Sequence, residues 1–252
     1  MSADTERASA DPSATALAGR TAVAEGTDLR ALAERANAEL AHAPAAQVVA
    51  WAHATFGADL VVASSMADTH LVHLASAAAP GIDVVFLDTG YHFAETVGTR
   101  DAVAEVYPVR LLNITPLQTV AEQDAEYGAR LYERDPDKCC ALRKVEPLER
   151  ALKPYTAWIN GMRREESPTR ADIPVIGYDA KRDMVKISPL AAWTQDDVDA
   201  YITDNGVLTN PLFLEGYTSI GCEPCTRKPL PGEDPRAGRW AGNAKTECGL
   251  HT

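Results

Sequence analysis

The sequence predicts an α/β protein built on a parallel, twisted sheet flanked by helices. Short apolar runs alternate with stretches of helical period, and most of the runs end near a Gly, Pro or Asp turn signal. Composition agrees. Of 252 residues, 46% are hydrophobic and 24% charged, a globular balance with room for one large domain or two small ones.

Residues 1 to 27 are rich in Ala, Ser, Thr, Asp and Gly without apolar period and are expected to form a disordered tail. Leu29, Leu32, Ala33, Ala36 and Leu40 recur at helical spacing. A second helix is expected from Ala45 to Thr55, stopping near Gly57. Asp59 to Ala63 reads as the first strand, and Ser64-Ser65 leads into a helix from about Met66 to Ala78, ended by Pro80-Gly81. Ile82 to Leu87 is the next strand and closes at Asp88-Thr89-Gly90. A helix from about Phe93 to Val106, a strand from Val109 to Ile114 and a helix from Leu117 to Tyr127 follow. Tyr155 to Asn160 and Met184 to Ile187 are further strands, the first ending at Gly161. Thr194 with Asp197 forms a capping box, and Asn205-Gly206 is a C-cap signal. From Pro211 onward Gly, Pro, Cys and charge dominate, and an ordered loop held by ligands is expected.

Net charge is -12, from 36 acids and 24 bases, which argues against a general nucleic-acid surface. No apolar run is long enough to span a membrane, and no secretory signal is visible, so a cytoplasmic protein with reduced thiols is expected. Five cysteines are too few and too uneven for a disulfide scaffold. Cys222 and Cys225 flank two residues, a spacing that lets both thiolates reach one metal centre. Cys139 and Cys140 are adjacent, which suits different irons of one cluster better than one zinc ion. The two pairs therefore suggest an iron–sulfur site ahead of zinc. The plain alternative is a buried pair beside a redox pair. Cys248 stands apart near the C-terminus, either as a reactive thiol or as an inert surface residue.

The overall charge conceals local cations. Residues 138 to 170 hold eight bases against four acids, and 226 to 245 five against two. Both stretches adjoin cysteines, and such side chains fit phosphate and sulfate oxygens; solvated helix faces are the alternative, and the better account of Arg150 and Lys153. Ser64 and Ser65, expected at a helix N-terminus, and Asp88, at a strand end, stand where open parallel sheets bind ligands.

These motifs together resemble the assimilatory sulfonucleotide reductases, in their iron–sulfur, adenylyl-sulfate (APS) branch. The match runs through Val61 to Ser65, Phe86 to Gly90, Lys138-Cys139-Cys140 with Arg143-Lys144, and Gly161-Met162-Arg163-Arg164 to Arg170. It continues through Lys186 to Leu190 with Trp193, Asn210-Pro211-Leu212, Gly216 to Cys222, Arg236 to Trp240, and Glu247-Cys248-Gly249-Leu250-His251. It spans about residues 45 to 251.

The resemblance implies an adenine nucleotide α-hydrolase-like fold of the ATP-pyrophosphatase superfamily. It implies reduction of adenosine 5′-phosphosulfate to sulfite and AMP in sulfate assimilation and cysteine biosynthesis, with thioredoxin as donor. By it, Cys139, Cys140, Cys222 and Cys225 hold a [4Fe-4S] cluster, and Cys248 is the nucleophile that carries an S-sulfocysteine. Lys144, Arg170, Arg236, Arg239, Ser64, Ser65, Asp88, Gly161 and His251 are the implied substrate contacts. Residues 28 to 235 would form one reductase domain, and 236 to 252 a mobile arm carrying Cys248. A homo-oligomer is left open.

The superfamily loop Ser-Gly-Gly-x-Asp-Ser is changed here, with Ser65-Met66 in place of both glycines. The four paired cysteines speak against a PAPS (3′-phosphoadenylyl-sulfate) reductase without excluding dual use. The changed loop and the acidic charge speak against a tRNA sulfur-transfer enzyme. A zinc-bearing interaction module would leave Glu247 to His251 without a role.

Overall fold

A computed structural model describes residues 23, 24, 26–241, 245, 247, 249 and 250. The expected tail lies largely outside the described residues; Val23 already packs against the core. Asp28 caps the first helix, α1 (Leu29–Leu40), by accepting from the Ala31 N–H at 3.0 Å. Such a cap is worth about 1 kcal/mol. Helix α2 (Ala45–Phe56) follows, and a short 3-10 turn leads into strand β1 (Leu60–Ala63).

Helix α3 (His70–Ala78) starts later than expected, so Ser64 and Ser65 are not at its N-terminus. Residues 64 to 69 instead form a folded loop. Ser64 Oγ accepts from Met66 N–H at 3.2 Å and Ser65 Oγ from Ala67 N–H at 3.4 Å. Met66 takes φ +55°, the left-handed region, at the position of the superfamily loop's second glycine. Full burial of its side chain accompanies a conformation that costs roughly 1–2 kcal/mol for a residue with a Cβ.

Strands β2 (Ile82–Leu87) and β3 (Val109–Ile114) hold their expected bounds, with α4 (Ala94–Val106) between them. Helix α5 (Val120–Tyr127) begins at Thr119 in a capping box with Glu122. Three short helices follow that periodicity does not reveal: α6 (Leu131–Arg134), α7 (Pro136–Cys140) and α8 (Glu146–Leu152). A π turn over Ala141–Val145 joins α7 to α8. Pro147 has no N–H to return to the preceding turn, and the helix widens just before it.

Strand β4 (Ala157–Ile159) is shorter than expected. Strand β5 (Ile176–Asp179) was not expected, and it pairs antiparallel with β6 (Met184–Ile187). Helix α9 (Gln195–Asn205) carries the expected Thr194–Asp197 box and Gly206 cap.

The sheet order is β3-β2-β1-β4-β6-β5, and every pair except β5–β6 is parallel. Alternate residues divide between two cores. Val62, Val84, Phe86 and Ile159 face α1 to α3. Val61, Val85 and Trp158 face α8 and Leu250. Strand order reverses between β1 and β4, so their carboxyl ends flank the crevice where open sheets receive ligands. Ser64-Ser65 leave one side of that crevice and Asn160-Gly161 the other. Among the described residues no helix is long and apolar enough to cross a membrane.

Candidate active site

The two cysteine pairs come from segments far apart in the chain and meet at one pocket. Cys139 and Cys140 end α7, which Asp135 caps by accepting from Lys138 N–H at 2.9 Å. Cys222 opens a 3-10 turn that Cys225 closes, its N–H donating to the Cys222 carbonyl at 3.0 Å. This turn docks on the loop after β2: Glu223 N–H donates to Tyr91 O at 2.7 Å. The Thr89 hydroxyl accepts from Tyr91 N–H at 3.2 Å and lies 3.3 Å from Cys222 Sγ, a contact in which either group can donate.

All four cysteines line the same pocket, with Lys144 and Trp240 among its walls. Cys139, Cys140 and Cys222 are buried and Cys225 is half-buried. Burial, reinforced by the charges of the other three thiols, pushes the Cys139 thiol up to about 12. Cys225 is pushed up to about 11, chiefly by burial, against the pull of Lys144 and Arg239. Thiols so placed keep their protons until a cation takes the proton's place. Among the described residues no three His, Cys, Asp or Glu side chains converge on the position of a single metal ion.

Arg143, part of the Arg143-Lys144 motif but given no role by the sequence, ties the pocket together. It is 3% exposed. Its guanidinium donates to the Thr89 carbonyl, to Gln123 Oε1 at 3.1 Å and to Gln118 O at 3.3 Å. One side chain thus links the Cys139–Cys140 segment to the residue that contacts Cys222. Its sequence signals were membership of a basic stretch and of the Arg143-Lys144 motif, neither of which names its partners.

The expected substrate contacts divide into three groups. Lys144 lines the cysteine pocket, and Arg239 lies close enough to influence Cys225. Arg239 donates to Ser219 Oγ and Ile220 O, each at 3.2 Å, and its guanidinium lies 4.7 Å from the Trp240 ring centre. Two glycines permit this packing. A Cβ on Gly221 would stand 2.3 Å from an Arg239 nitrogen, and one on Gly238 would stand 1.9 Å from the Arg227 carbonyl oxygen.

Ser64, Ser65 and Gly161 sit at the sheet crevice, with Asp88 at the end of β2. Asp88 is already engaged by Gly90 N–H at 3.1 Å, Arg100 at 3.3 Å and Asn113 at 3.4 Å.

Arg170 and Arg236 form the third group, and both meet Glu247. Arg170 donates from Nε to Oε1 at 3.0 Å and from Nη2 to Oε2 at 2.9 Å; Arg236 Nη2 reaches Oε2 at 3.4 Å. Arg170 also pairs with Glu166. Further along, Arg182 donates to the Leu250 carbonyl at 3.2 Å. Lys186 on β6 is desolvated, and together with the charges of Arg182 and Arg170 this outweighs the pull of Asp179 and lowers its pKa. Neither Arg182 nor Lys186 was expected at the site. Cys248 and His251 lie outside the described residues.

A family model described as the phosphoadenosine phosphosulfate reductase domain matches residues 59–228. An adenosine 5′-phosphosulfate reductase of Streptomyces coelicolor is 63% identical over 89% of this chain and 95% of its own length. One from Mycolicibacterium smegmatis is 59% identical, with the same coverage. Among solved structures, the phosphoadenylyl-sulfate (PAPS) reductase of Candida auris in a phosphate complex aligns with a TM-score of 0.66 and 30% identity. That alignment covers 76% of this chain and 94% of the fungal one.

Proposed function

The chain belongs to the phosphoadenosine phosphosulfate reductase family, and we propose that it reduces APS to sulfite and AMP with Cys248 as nucleophile. It is an oxidoreductase acting on a sulfur group, in sulfate assimilation. The observation that carries the reading is the meeting of two distant cysteine pairs at a pocket that Lys144 also lines.

The donor set fits a [4Fe-4S] cluster. Cys139, Cys140, Cys222 and Cys225 would hold it, one thiolate to each iron, and that arrangement needs no convergence on a single ion. When bound, such a cluster supplies metal in place of the thiol protons and a fixed charge centre beside Lys144.

The chain's own residues account for the rest. Residues 28 to 235 form the nucleotide-binding reductase domain, and 236 to 252 the arm that presents Cys248. The crevice residues Ser64, Ser65 and Gly161 hold the nucleotide, with Asp88 and His251 as further contacts. Lys144, Arg236 and Arg239 face the phosphosulfate and offset the repulsion between an anionic substrate and a thiolate. Arg170 contributes to the same positive region.

The Cys248 thiolate attacks the sulfuryl sulfur. An S–S bond forms, the bond from that sulfur to the bridging phosphate oxygen breaks, and AMP leaves with the electron pair. A thioredoxin thiolate then attacks Cys248 Sγ and sulfite departs with the S–S electrons. The second thioredoxin thiol releases Cys248, so one dithiol becomes a disulfide as the sulfuryl sulfur gains two electrons. The cytoplasm, which keeps thiols reduced, suits this chemistry.

Mass spectrometry after mixing with APS and no reductant should find a sulfite adduct on Cys248. Turnover of APS with thioredoxin but no such adduct would sink the nucleophile assignment. Iron and sulfide analysis should return both elements, and zinc alone would overturn the cluster. Faster turnover of PAPS than of APS would overturn the substrate.

A further inference from the structure

Glu247 immediately precedes Cys248, and its carboxylate is the most heavily coordinated group among the described residues of the terminal segment. Arg170 grips it with two parallel N–H···O bonds, the fork geometry that fixes direction as well as distance. Arg236 adds a third contact to Oε2. The side chains are only 10% and 20% exposed for Arg170 and Glu247, so solvent screens the pair weakly.

The grip is itself anchored. Arg170 ends the 3-10 turn Pro168–Arg170, and its N–H donates to the Ser167 carbonyl at 2.9 Å. Its remaining edge pairs with Glu166, whose carboxylate also accepts from Arg163 N–H at 3.1 Å. Two more contacts hold the same stretch to the body. Lys245 pairs with Asp137 beside the first cysteine pair, and Arg182 holds the Leu250 carbonyl.

We propose that Glu247 is a positioning residue: clamped by Arg170 and Arg236, it sets the place from which Cys248 reacts. The inference rests on reading Cys248 as the nucleophile. It also divides the arginines by task. Arg170 has Nε, Nη1 and Nη2 committed to carboxylates, so its principal role is to hold the arm, while Lys144 and Arg239 remain at the cysteine pocket. A substrate-mimicking role, in which Glu247 fills an anion subsite that APS must empty, makes the opposite prediction for binding.

The test uses the full-length holoenzyme. Glu247→Gln keeps the shape and removes the charge. In single-turnover mixing with APS and no reductant, its rate of Cys248 adduct formation should fall about 10- to 100-fold, as for a misplaced reacting group. Its equilibrium affinity for APS should stay within about twofold of wild type. Arg170→Lys keeps the charge and loses the fork, so it should slow the same step, and the double variant should be less than additive. Glu247→Asp should recover part of the rate.

Hydrogen exchange of the peptide over residues 245 to 252, measured without APS, should be faster in Glu247→Gln than in wild type. That readout is independent of the chemistry. Unchanged exchange, or an unchanged adduct rate, overturns the inference. Tighter APS binding by Glu247→Gln overturns it in favour of the anion-subsite role. Wild-type protein that forms no adduct on Cys248 fails the functional reading, and the positioning role with it. Faster exchange in that case would still establish the clamp.

Discussion

His70 shows at the scale of one residue how burial sets chemistry. It is 3% exposed, stacks on Trp193 with rings 15° apart, and its Nδ1 has no hydrogen-bond partner among the described residues. Desolvation, aided by Arg163, holds its pKa below 6.5 against Asp68 and Glu166. In the unfolded chain it titrates near 6.5. Below that pH the unfolded chain takes up a proton that the folded chain refuses, so stability falls as pH drops through about 6.5 and below. Urea titrations across that range should show the loss, and His70→Gln should flatten it; an equal slope in the variant would remove the assignment. Arg170 teaches the complementary lesson. The family resemblance implied a substrate contact there, and the structure shows its guanidinium between the carboxylates of Glu166 and Glu247.

At the scale of elements, the segment from α7 through the π turn to α8 does most to build the site. Its pieces are short, and Pro136 and Pro147 break any sustained period, so no helical pattern marks it. Its position is set by Arg143, which satisfies three acceptors on other elements. Arg143→Met would strand those acceptors in a buried place and should cost about 2–4 kcal/mol. Denaturant unfolding measures that cost. If the four cysteines hold the proposed cluster, iron release to a chelator should also quicken, because the link from the Cys139–Cys140 segment to Thr89 is gone. Unchanged iron retention would confine Arg143 to stability.

At the scale of the whole molecule, the sheet separates two tasks. One face packs α1 to α3 and carries the larger core; the other receives α8 and Leu250. Phe56 is fully buried in the first core. Phe56→Ala should lower stability by about 3–5 kcal/mol. APS affinity of the folded fraction should hold, because the cavity opens away from the face that receives Leu250; calorimetric binding well below the melting temperature checks this.

Much of this was legible in the chain. Short apolar runs marked β1, β2 and β6 because burial on both faces of the sheet leaves a local record, while the half-buried edge strand β3 was marked by Val109, Leu111, Leu112 and Ile114. Caps such as Thr194 with Asp197 were legible because capping is a contact across three residues. The paired cysteines were legible as candidate thiolate donors and the basic stretches as candidate anion contacts, with zinc, redox and solvated-face readings still open. The antiparallel edge strand β5 was not legible, since four residues containing Gly177 carry too little pattern.

What the sequence determined by itself was therefore the fold class and the residue types, paired thiols and local cations, available to a site. Which distant groups meet was decided by the tertiary structure alone. Thr89 reaches Cys222 across 133 positions, and Arg170 reaches Glu247 across 77. Nothing near either residue names its partner. Such contacts require closing long loops, and only the packed sheet and its helices supply the free energy that closes them.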